Sequence, residues 1–380
     1  MQITRKRVTN LLALLLLCAT WFAIGWIVRG WRLGPEIGLV EQVRYHLLNE
    51  HPDEVPPTRE LTYAAIRGML HKIDDPHTAL IVPPVSQRFE ADFAGQSGVI
   101  GLYPEEQDGQ MVVSVVFPGE PADQAGLQPG DIILSVDGVT FDQDTSAAET
   151  ALLLRGPVGQ PAHIVVRRDQ ELLQFDPIRQ PRPIVKYEML PDDIAYIFQH
   201  TFTTNASEQI KEALQDLLAQ QPKALIWDLS SNGGGSMDTT QEILSYFVED
   251  GLLFTAELKD GATREFLAEG EALAADIPLV VLISERTYSA AETAAATIKE
   301  RGRGILIGST TYGKGTIHAT IPLPEDCLLQ MTIAKWLSPN GEWYEKQGVP
   351  PDIVVEDEES TNEDKVLQFA VEYIHEHFAP

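Results

Sequence analysis

The sequence predicts an α/β protein whose main domain is a largely parallel β-sheet with helices on its faces. From about residue 190 to 355, apolar runs typical of strands buried on both faces alternate with amphipathic stretches. From about 91 to 180, the chain instead carries short β runs separated by Pro-Gly and Asp-Gly turns. The alternation indicates a parallel sheet, and the turn-rich stretch indicates a smaller β-rich module in front of it.

The first 30 residues predict a membrane anchor or a signal segment. Residues 11–28 contain no charged side chain, and basic residues occupy positions 5–7. This apolar run reaches the lower end of the length that spans a bilayer, and the preceding positive charges favour export of the chain that follows. An uncleaved single-pass anchor and a cleaved signal peptide both fit this pattern. In either case the globular part is expected outside the cytoplasm, as a periplasmic or other cell-envelope protein or as a secreted one.

The charge and the cysteine content exclude several classes of function. The chain has 28 Lys and Arg against 56 Asp and Glu, a formal net charge of -28. Such a surface repels nucleic acid, so no nucleic-acid partner is expected. The two cysteines, Cys18 and Cys327, do not form a disulfide framework, and no HExxH motif is present. We therefore expect neither a metal nor an organic cofactor.

Helices are predicted before the β-rich module. Helical periodicity runs through 36–49 and 58–73, and the Asp75-Pro76 pair breaks it. These stretches predict a small helical N-terminal segment at 34–90. The β-rich module follows at 91–182, with one helical stretch of its own at 147–154.

The main domain is predicted at 183–355. Its expected buried strands are 194–198, 224–229, 278–283 and 304–307, and its expected helices are 207–220, 238–247 and 289–299. An acidic tail that ends in a helix follows at 356–380.

Ser289 occupies the most informative turn of the chain. It is predicted to open a helix directly after a buried strand and the turn Ser284–Tyr288. A helix N-terminus offers unpaired N–H groups and the positive end of the helix dipole, which stabilise a developing oxyanion. Ala290 and Ala291 would let a substrate backbone approach closely. Taken alone, a helix N-cap is the more common reason for a serine at this position.

Lys314 lies between two glycines in the loop that follows the strand predicted at 304–307. A lysine shielded from water loses proton affinity, so near neutral pH it can accept the proton of a serine. Gly-Lys-Gly is also compatible with a phosphate-binding loop, and this alternative stays open here.

A third stretch, Asp228–Gly235, follows directly after the strand predicted at 224–229 and ends in three glycines. Glycines at the carboxyl end of a buried strand suit a backbone that exposes N–H groups to a bound carbonyl. A flexible turn between strand and helix explains them equally well.

Taken in order, these stretches resemble the C-terminal processing peptidases. They read Asp-Leu-x-x-Asn-x-Gly-Gly, Tyr-Ser-Ala-Ala-Glu and, 25 residues after the serine, Thr-x-Gly-Lys-Gly. The resemblance covers about 36–355 and implies a crotonase- or ClpP-like protease core with an inserted PDZ domain. It implies that Ser289 is the nucleophile and Lys314 the general base. The oxyanion donors would then be the N–H groups of Ala290 and of Gly233 or Gly234.

Residues 97–138 resemble a PDZ domain of the bacterial, protease-associated kind. The carboxylate-binding loop, which captures a peptide C-terminus while the peptide adds a strand to the sheet, is matched by Gly98, Val99, Ile100, Gly101 and Leu102. An apolar pocket beside Ile100 and Leu102 would favour substrates with apolar C-terminal residues.

The chain departs from the family pattern at three positions. Ser230 and Gly233 stand where the family usually has an arginine and a proline, and His318 stands where it often has a glutamine. If 314–321 is extended, Lys314 and His318 lie on one face, so the imidazole reaches the lysine. A neutral imidazole accepts a hydrogen bond as the glutamine oxygen does, whereas a protonated one repels a charged lysine. A role for His318 in filling space is the alternative.

The predicted function is that of an exported, membrane-anchored serine endopeptidase. Its PDZ domain would recognise the C-termini of protein or peptide substrates, and cleavage would proceed through an acyl-enzyme. The membrane partner would be contacted through residues 11–28, and oligomers are compatible with the sequence. A catalytically inactive PDZ scaffold is the alternative, which the changes at Ser230 and His318 keep open. A crotonase-type acyl-CoA enzyme would explain neither the PDZ segment nor the export segment.

Overall fold

The computed structural model describes residues 35–378 except 74, 76, 118, 142–144, 146, 182 and 356–364. The predicted membrane segment at 11–28 lies outside the described residues. Within the described ranges, the structure contains no helix with the length and apolar composition that a membrane span requires.

The chain divides into two compact units, 1–75 and 76–380. In the first unit, the structure describes α1 (Pro35–Glu50) and α2 (Thr58–His71). Arg44 at the surface of α1 donates a hydrogen bond to Thr58 Oγ1 at 3.4 Å, at the start of α2.

The second unit begins with β1 (Ala79–Ile81) and α3 (Val85–Phe93), which fall inside the segment predicted as helical. The β-rich module that follows contains β2 (Ser97–Val99), β3 (Leu102–Gln107), β4 (Gln110–Val116), α4 (Pro121–Ala125), β5 (Ile132–Val136), β6 (Val139–Thr140), α5 (Ala147–Leu154), β7 (Gly156–Pro157), β8 (Ile164–Arg168), β9 (Glu171–Phe175) and β10 (Gln180–Pro181). One sheet has the order β3-β4-β5-β8-β9 with β6 on β5, and a second has the order β10-β2-β7. Alternate residues such as Ile164 and Val166 point inward and are fully buried.

The main domain contains β11 (Val185–Leu190), β12 (Ile194–Gln199), α6 (Ala206–Leu218), β13 (Ala224–Asp228), α7 (Met237–Leu244), β14 (Leu252–Leu258), β15 (Thr263–Leu267), β16 (Leu279–Ile283), α8 (Ala290–Glu300), β17 (Ile305–Gly308), β18 (Thr316–Pro322), β19 (Leu328–Leu337), β20 (Ile353–Val354) and α9 (Lys365–His377). Its main sheet has the order β11-β12-β13-β16-β17-β20 and is parallel except for the β11–β12 pair. The predicted strands and helices of this domain begin and end within three residues of the observed ones.

Both faces of the parallel sheet are buried, which explains its uninterrupted apolar strands. In β13, Leu225 and Trp227 pack into the core that is shared with α6, α7 and α8. Ile226, between them, packs on the opposite face against α9. A strand with helices on both sides needs apolar residues at every position, and all five residues of β13 are buried.

A second sheet of the main domain was not predicted from the sequence. It has the order β1-β19-β14-β15, with β18 also paired to β19. Its strands are only half-buried, so their apolar pattern is weaker than that of the parallel sheet. Its first strand, β1, is three residues long and pairs Ala79 with Gln330, far along the chain.

Candidate active site

Three loops meet at the carboxyl edge of the parallel sheet: 229–236 after β13, 284–289 after β16 and 309–315 after β17. In parallel strands the carboxyl ends lie together, and this is where α/β folds place their sites. Hydrogen bonds join the loops directly. Tyr288 N donates to Asn232 O at 3.0 Å, and Tyr312 N donates to Thr287 O at 3.1 Å.

The turn that carries Ser289 is held in a strained conformation. Ser289 has φ 58° and ψ -118°, in the half of backbone space that favours glycine, and it immediately precedes α8. Its N–H donates to Glu292 Oε2 at 2.8 Å. The turn is also fixed by Thr287 Oγ1, which donates to Leu229 O at 2.8 Å. A strained serine between a strand and a helix is typical of a nucleophile turn.

The glycine turn packs closely against the serine. A Cβ at Gly234 would lie 2.9 Å from Ser289 Cβ, and a Cβ at Gly235 would lie 2.4 Å from Phe202 O. The Gly234 N–H donates to Asn232 Oδ1 at 2.9 Å, and the Gly233 N–H donates to His200 O at 3.3 Å. Of the two glycines predicted as oxyanion donors, Gly234 therefore packs against the serine, and the N–H groups of both donate to acceptors inside the protein.

Lys314 projects into the same region from a buried loop. Its side chain is 9% exposed, and its Nζ lies 3.4 Å from His318 Nδ1 and 4.9 Å from the ring centre of Tyr288. Burial raises the pKa of Tyr288, so its phenol stays neutral beside the amine. Trp336 Nε1 fixes the loop by donating to Lys314 O at 2.8 Å.

Glu292 connects the serine turn to the lysine loop. Its side chain is fully buried, and Oε2 accepts hydrogen bonds from Ser289 N and Lys314 N, each at 2.8 Å. Oε1 accepts from Thr311 Oγ1 and Gly313 N, each at 2.6 Å. Burial raises the pKa of the Glu292 carboxyl, and the four hydrogen bonds act in the opposite direction.

His318 lies where the extended strand was expected to place it. Its Nδ1 is 3.4 Å from Lys314 Nζ and 3.2 Å from Gln330 Nε2, and its Nε2 is 3.3 Å from Thr316 Oγ1. The amide nitrogen of Gln330 can only donate, so in the neutral ring Nδ1 is the acceptor and Nε2 carries the hydrogen. The ring of His77 lies beside it, with 5.3 Å between the ring centres.

The geometry does not support a phosphate-binding loop around Lys314. In such loops the lysine is followed by Ser or Thr and by a helix, whose N-terminus binds the phosphate. Here Gly315 follows the lysine, and the loop leads into the strand β18.

A cavity of about 540 Å³ reaches the glycine turn from the side of the β-rich module. Its lining includes Val99 and Tyr103 from that module and Gly233, Gly234 and Arg286 from the main domain. It is large enough for an extended peptide segment, and Gly234 in its lining also packs against Ser289.

Comparison with known proteins establishes the family. A model of peptidase family S41 matches residues 193–355, and a PDZ-domain model matches residues 112–168. The carboxyl-terminal-processing protease of Synechocystis is 32% identical over 346 residues, which cover 87% of this chain and 80% of that protein. The chain belongs to peptidase family S41.

Other relatives of this S41 chain are longer. The carboxy-terminal processing protease CtpA of Bacillus subtilis is 30% identical over 303 residues, covering 78% of this chain and 64% of that protein. The chloroplastic carboxyl-terminal-processing peptidase 2 of Arabidopsis thaliana is 33% identical, covering 78% of this chain and 60% of that protein. The chain thus spans about three fifths of the length of these two relatives. Among solved structures, the photosystem II D1 C-terminal processing protease matches with a TM-score of 0.60 and 28% identity, covering 83% of this chain and 86% of that one.

In this S41 chain, the residues predicted as a carboxylate-binding loop fall into two parts. Gly98 and Val99 belong to β2, which pairs with β7 and β10 on its two sides. Ile100, Gly101 and Leu102 form the turn into β3, an edge strand of its sheet with α5 beside it. A Cβ at Gly101 would lie 2.2 Å from Glu120 Cβ, so the close packing of this turn requires glycine.

Sequence reasoning missed several residues around Lys314. Glu292 was noted only as part of the serine motif, although a glutamate three residues after a helix N-cap is a capping-box pattern. Tyr288 was likewise noted only as part of that motif, His77 only as part of the turn that ends the second predicted helix, and Gln330 was not singled out. Gln330 is on β19 and contacts His318 only because β18 and β19 pair, which no local pattern indicates.

Proposed function

We propose that this chain is a serine endopeptidase that cleaves proteins recognised through their C-termini. The observation that carries the proposal is the strained Ser289, which shares one buried carboxylate with the loop of Lys314. The names of the S41 relatives, which are carboxyl-terminal processing proteases, support the choice of substrate.

In the proposed mechanism, Ser289 Oγ attacks the scissile carbonyl while Lys314 Nζ accepts its proton. Ala290 N–H, at the start of α8, stabilises the oxyanion, and Gly233 or Gly234 completes the site by exchanging its present hydrogen bond for the substrate oxygen. The lysine then returns the proton to the leaving amine, and water hydrolyses the acyl-enzyme. His318 holds the amine through Nδ1 and is the proposed third member of the site.

The proposed PDZ domain spans 91–182 and the proposed peptidase core 183–355, with a helical segment at 34–90. A substrate C-terminus would bind the loop Gly98–Leu102 and add a strand to the edge of β3. The buried Ile100 and Leu102 would favour apolar terminal residues. The 540 Å³ cavity between this module and the glycine turn would receive the segment to be cleaved.

We further propose that residues 11–28 export the chain, as an anchor or a signal segment, and that the peptidase acts in the cell envelope or after secretion. The basic residues before this apolar run and the absence of charge within it support this location.

Cleavage of an unfolded model protein with an apolar C-terminus tests the proposal, using the full chain purified in mild detergent. Ser289→Ala and Lys314→Ala should each lower kcat by at least about 10³-fold, because each removes a group that acts on the reacting atoms. Lys335→Ala is the matched control, since Lys335 forms a surface ion pair with Glu257. It should cleave at the wild-type rate.

Labelling by a fluorophosphonate separates the remaining outcomes. Wild-type cleavage with labelling at Ser289 supports the dyad. A wild-type chain that neither cleaves nor labels would show that the core is a scaffold for the PDZ domain instead of a peptidase.

A further inference from the structure

Glu292 is a buried carboxylate that the proposed mechanism does not use. It is 0% exposed, and within the described residues its partners are one hydroxyl and three backbone N–H groups, with no Lys, Arg or His side chain among them. Burying a carboxylate without a cation is costly unless hydrogen bonds replace its water. Here four donors occupy both oxygens. We expect a buried carboxylate of this kind only where all four of its hydrogen bonds are needed by the protein.

An ordinary capping box accounts for only one of these contacts. In a capping box, the glutamate at the third helical position reaches back to the N–H of the N-cap residue, here Ser289. The other three donors belong to Thr311, Gly313 and Lys314, in the loop after the neighbouring strand. The carboxylate therefore joins two loops and does more than cap α8.

The contacts act on the two groups whose relative position matters for proton transfer. Oε2 accepts from the backbone N–H of Ser289 and from that of Lys314, so a single oxygen spans the nucleophile and the base. The bond from Ser289 N to Oε2 also supports the strained φ of 58° at Ser289. Within the described residues, the N–H of Ser289 makes no other hydrogen bond that stabilises this conformation. Without this oxygen, the backbone N–H groups of Ser289 and Lys314 would no longer share a hydrogen-bond acceptor.

We propose that Glu292 is a positioning residue that sets the distance and orientation between Ser289 and Lys314 by bridging their two loops. The inference rests on the proposed peptidase function. Glu292 touches neither the substrate nor the reacting atoms, so its removal should change the rate of the chemical step and leave substrate binding intact.

The test compares Glu292→Gln with wild type in the full chain. The amide nitrogen of glutamine would face two N–H or O–H donors, because each carboxylate oxygen now accepts two. We expect kcat to fall about 100-fold with KM nearly unchanged, as expected for a misplacement near 1 Å that spares binding. Fluorophosphonate labelling of Ser289 should slow in parallel.

Thr297→Val is the matched control. Thr297 is also a buried polar residue of α8, and its hydroxyl bonds Leu253 O and Thr293 O away from the site. It should lower the melting temperature without changing kcat or the labelling rate. If Glu292→Gln does not fold, Thr311→Val removes one of the four donors and should still lower kcat and labelling.

A folded Glu292→Gln or Thr311→Val with kcat within about threefold of wild type would overturn the proposal. So would a loss of kcat in Thr297→Val equal to that in Glu292→Gln, because it would reflect general destabilisation. If the wild type neither cleaves nor labels, the peptidase function itself fails, and the two failures are thus distinguished.

Discussion

The glycine turn after β13 and the lysine loop after β17 reach the same edge of the parallel sheet but are held there by different means. The glycine turn packs directly against the backbone of Phe202, although side chains such as Asn232, whose Oδ1 accepts from Gly234 N, also hold it. Phe202 N donates to Gly234 O at 2.7 Å, and Ser236 N donates to Phe202 O at 2.8 Å. With φ 148°, Gly235 lies so close to Phe202 that no side chain fits.

The lysine loop is shaped by side chains from elsewhere in the chain. Glu292 accepts from Gly313 N and Lys314 N, and Trp336 donates to Lys314 O. Glu345 Oε2 accepts from Gly315 N at 2.7 Å. Three residues from α8, from β19 and from the segment after β19 therefore fix the backbone around one lysine.

Because the two loops are held differently, mutations in them should have different effects. A change in the glycine turn collides with backbone that cannot move, so it should cost folding free energy. A change in the supports of the lysine loop removes one hydrogen bond among several, so it should cost activity more than stability.

Gly235→Ala should have the largest effect. Its Cβ would meet Phe202 O at 2.4 Å in a backbone conformation that L side chains rarely adopt. We expect the free energy of unfolding to fall by about 3 kcal/mol, measured by urea denaturation followed by tryptophan fluorescence.

Gly233→Ala is the control within the same turn, because nothing lies within 4 Å of a Cβ added there. Its stability should stay within about 1 kcal/mol of wild type. Equal losses of unfolding free energy in Gly235→Ala and Gly233→Ala would contradict this explanation, since the turn would then be sensitive to any side chain.

Glu345→Ala should have an intermediate effect on the lysine loop. It removes the acceptor of the Gly315 N–H and leaves the contacts of Glu292 and Trp336 in place. We expect a loss of about 1 kcal/mol of stability and about a tenfold loss of kcat. Glu345→Gln retains an oxygen at this position and should recover most of the rate. A stability loss as large as that of Gly235→Ala would contradict the contrast.

The contrast between the glycine turn and the lysine loop also explains which residues could be predicted from the sequence. The buried strands of the parallel sheet and the three loops at its carboxyl edge were predicted because apolar runs and glycines are local patterns. Ser289 and Lys314 could be singled out as candidates because each lies in a short motif. Trp336, Glu345 and Gln330 were not found, because they reach the lysine loop through the pairing and folding of β18, β19 and the segment after them. A contact that forms only when distant segments pair produces no pattern within a short stretch of sequence.

The smallest predicted effect concerns His318 and depends on pH. Neutral His318 accepts hydrogen bonds at Nδ1 from Lys314 Nζ and Gln330 Nε2. Protonation would place a hydrogen on Nδ1. That hydrogen would repel the two donor groups, or it would donate to the lone pair of a neutral Lys314 amine.

Wild-type kcat/KM should therefore fall several-fold as the pH is lowered from 8 to 5.5, through the range in which imidazole becomes charged. In His318→Gln the amide keeps its acceptor oxygen at every pH, so the acid limb of the profile should flatten while the rate at pH 8 stays close to wild type. His163→Gln is the control, because the exposed ring of His163 pairs with Asp176 in the β-rich module and is not part of the cavity lining. Its profile should match that of the wild type. Superimposable profiles for wild type and His318→Gln would show that the imidazole only fills space, and that the position of Lys314 is set by its backbone contacts alone.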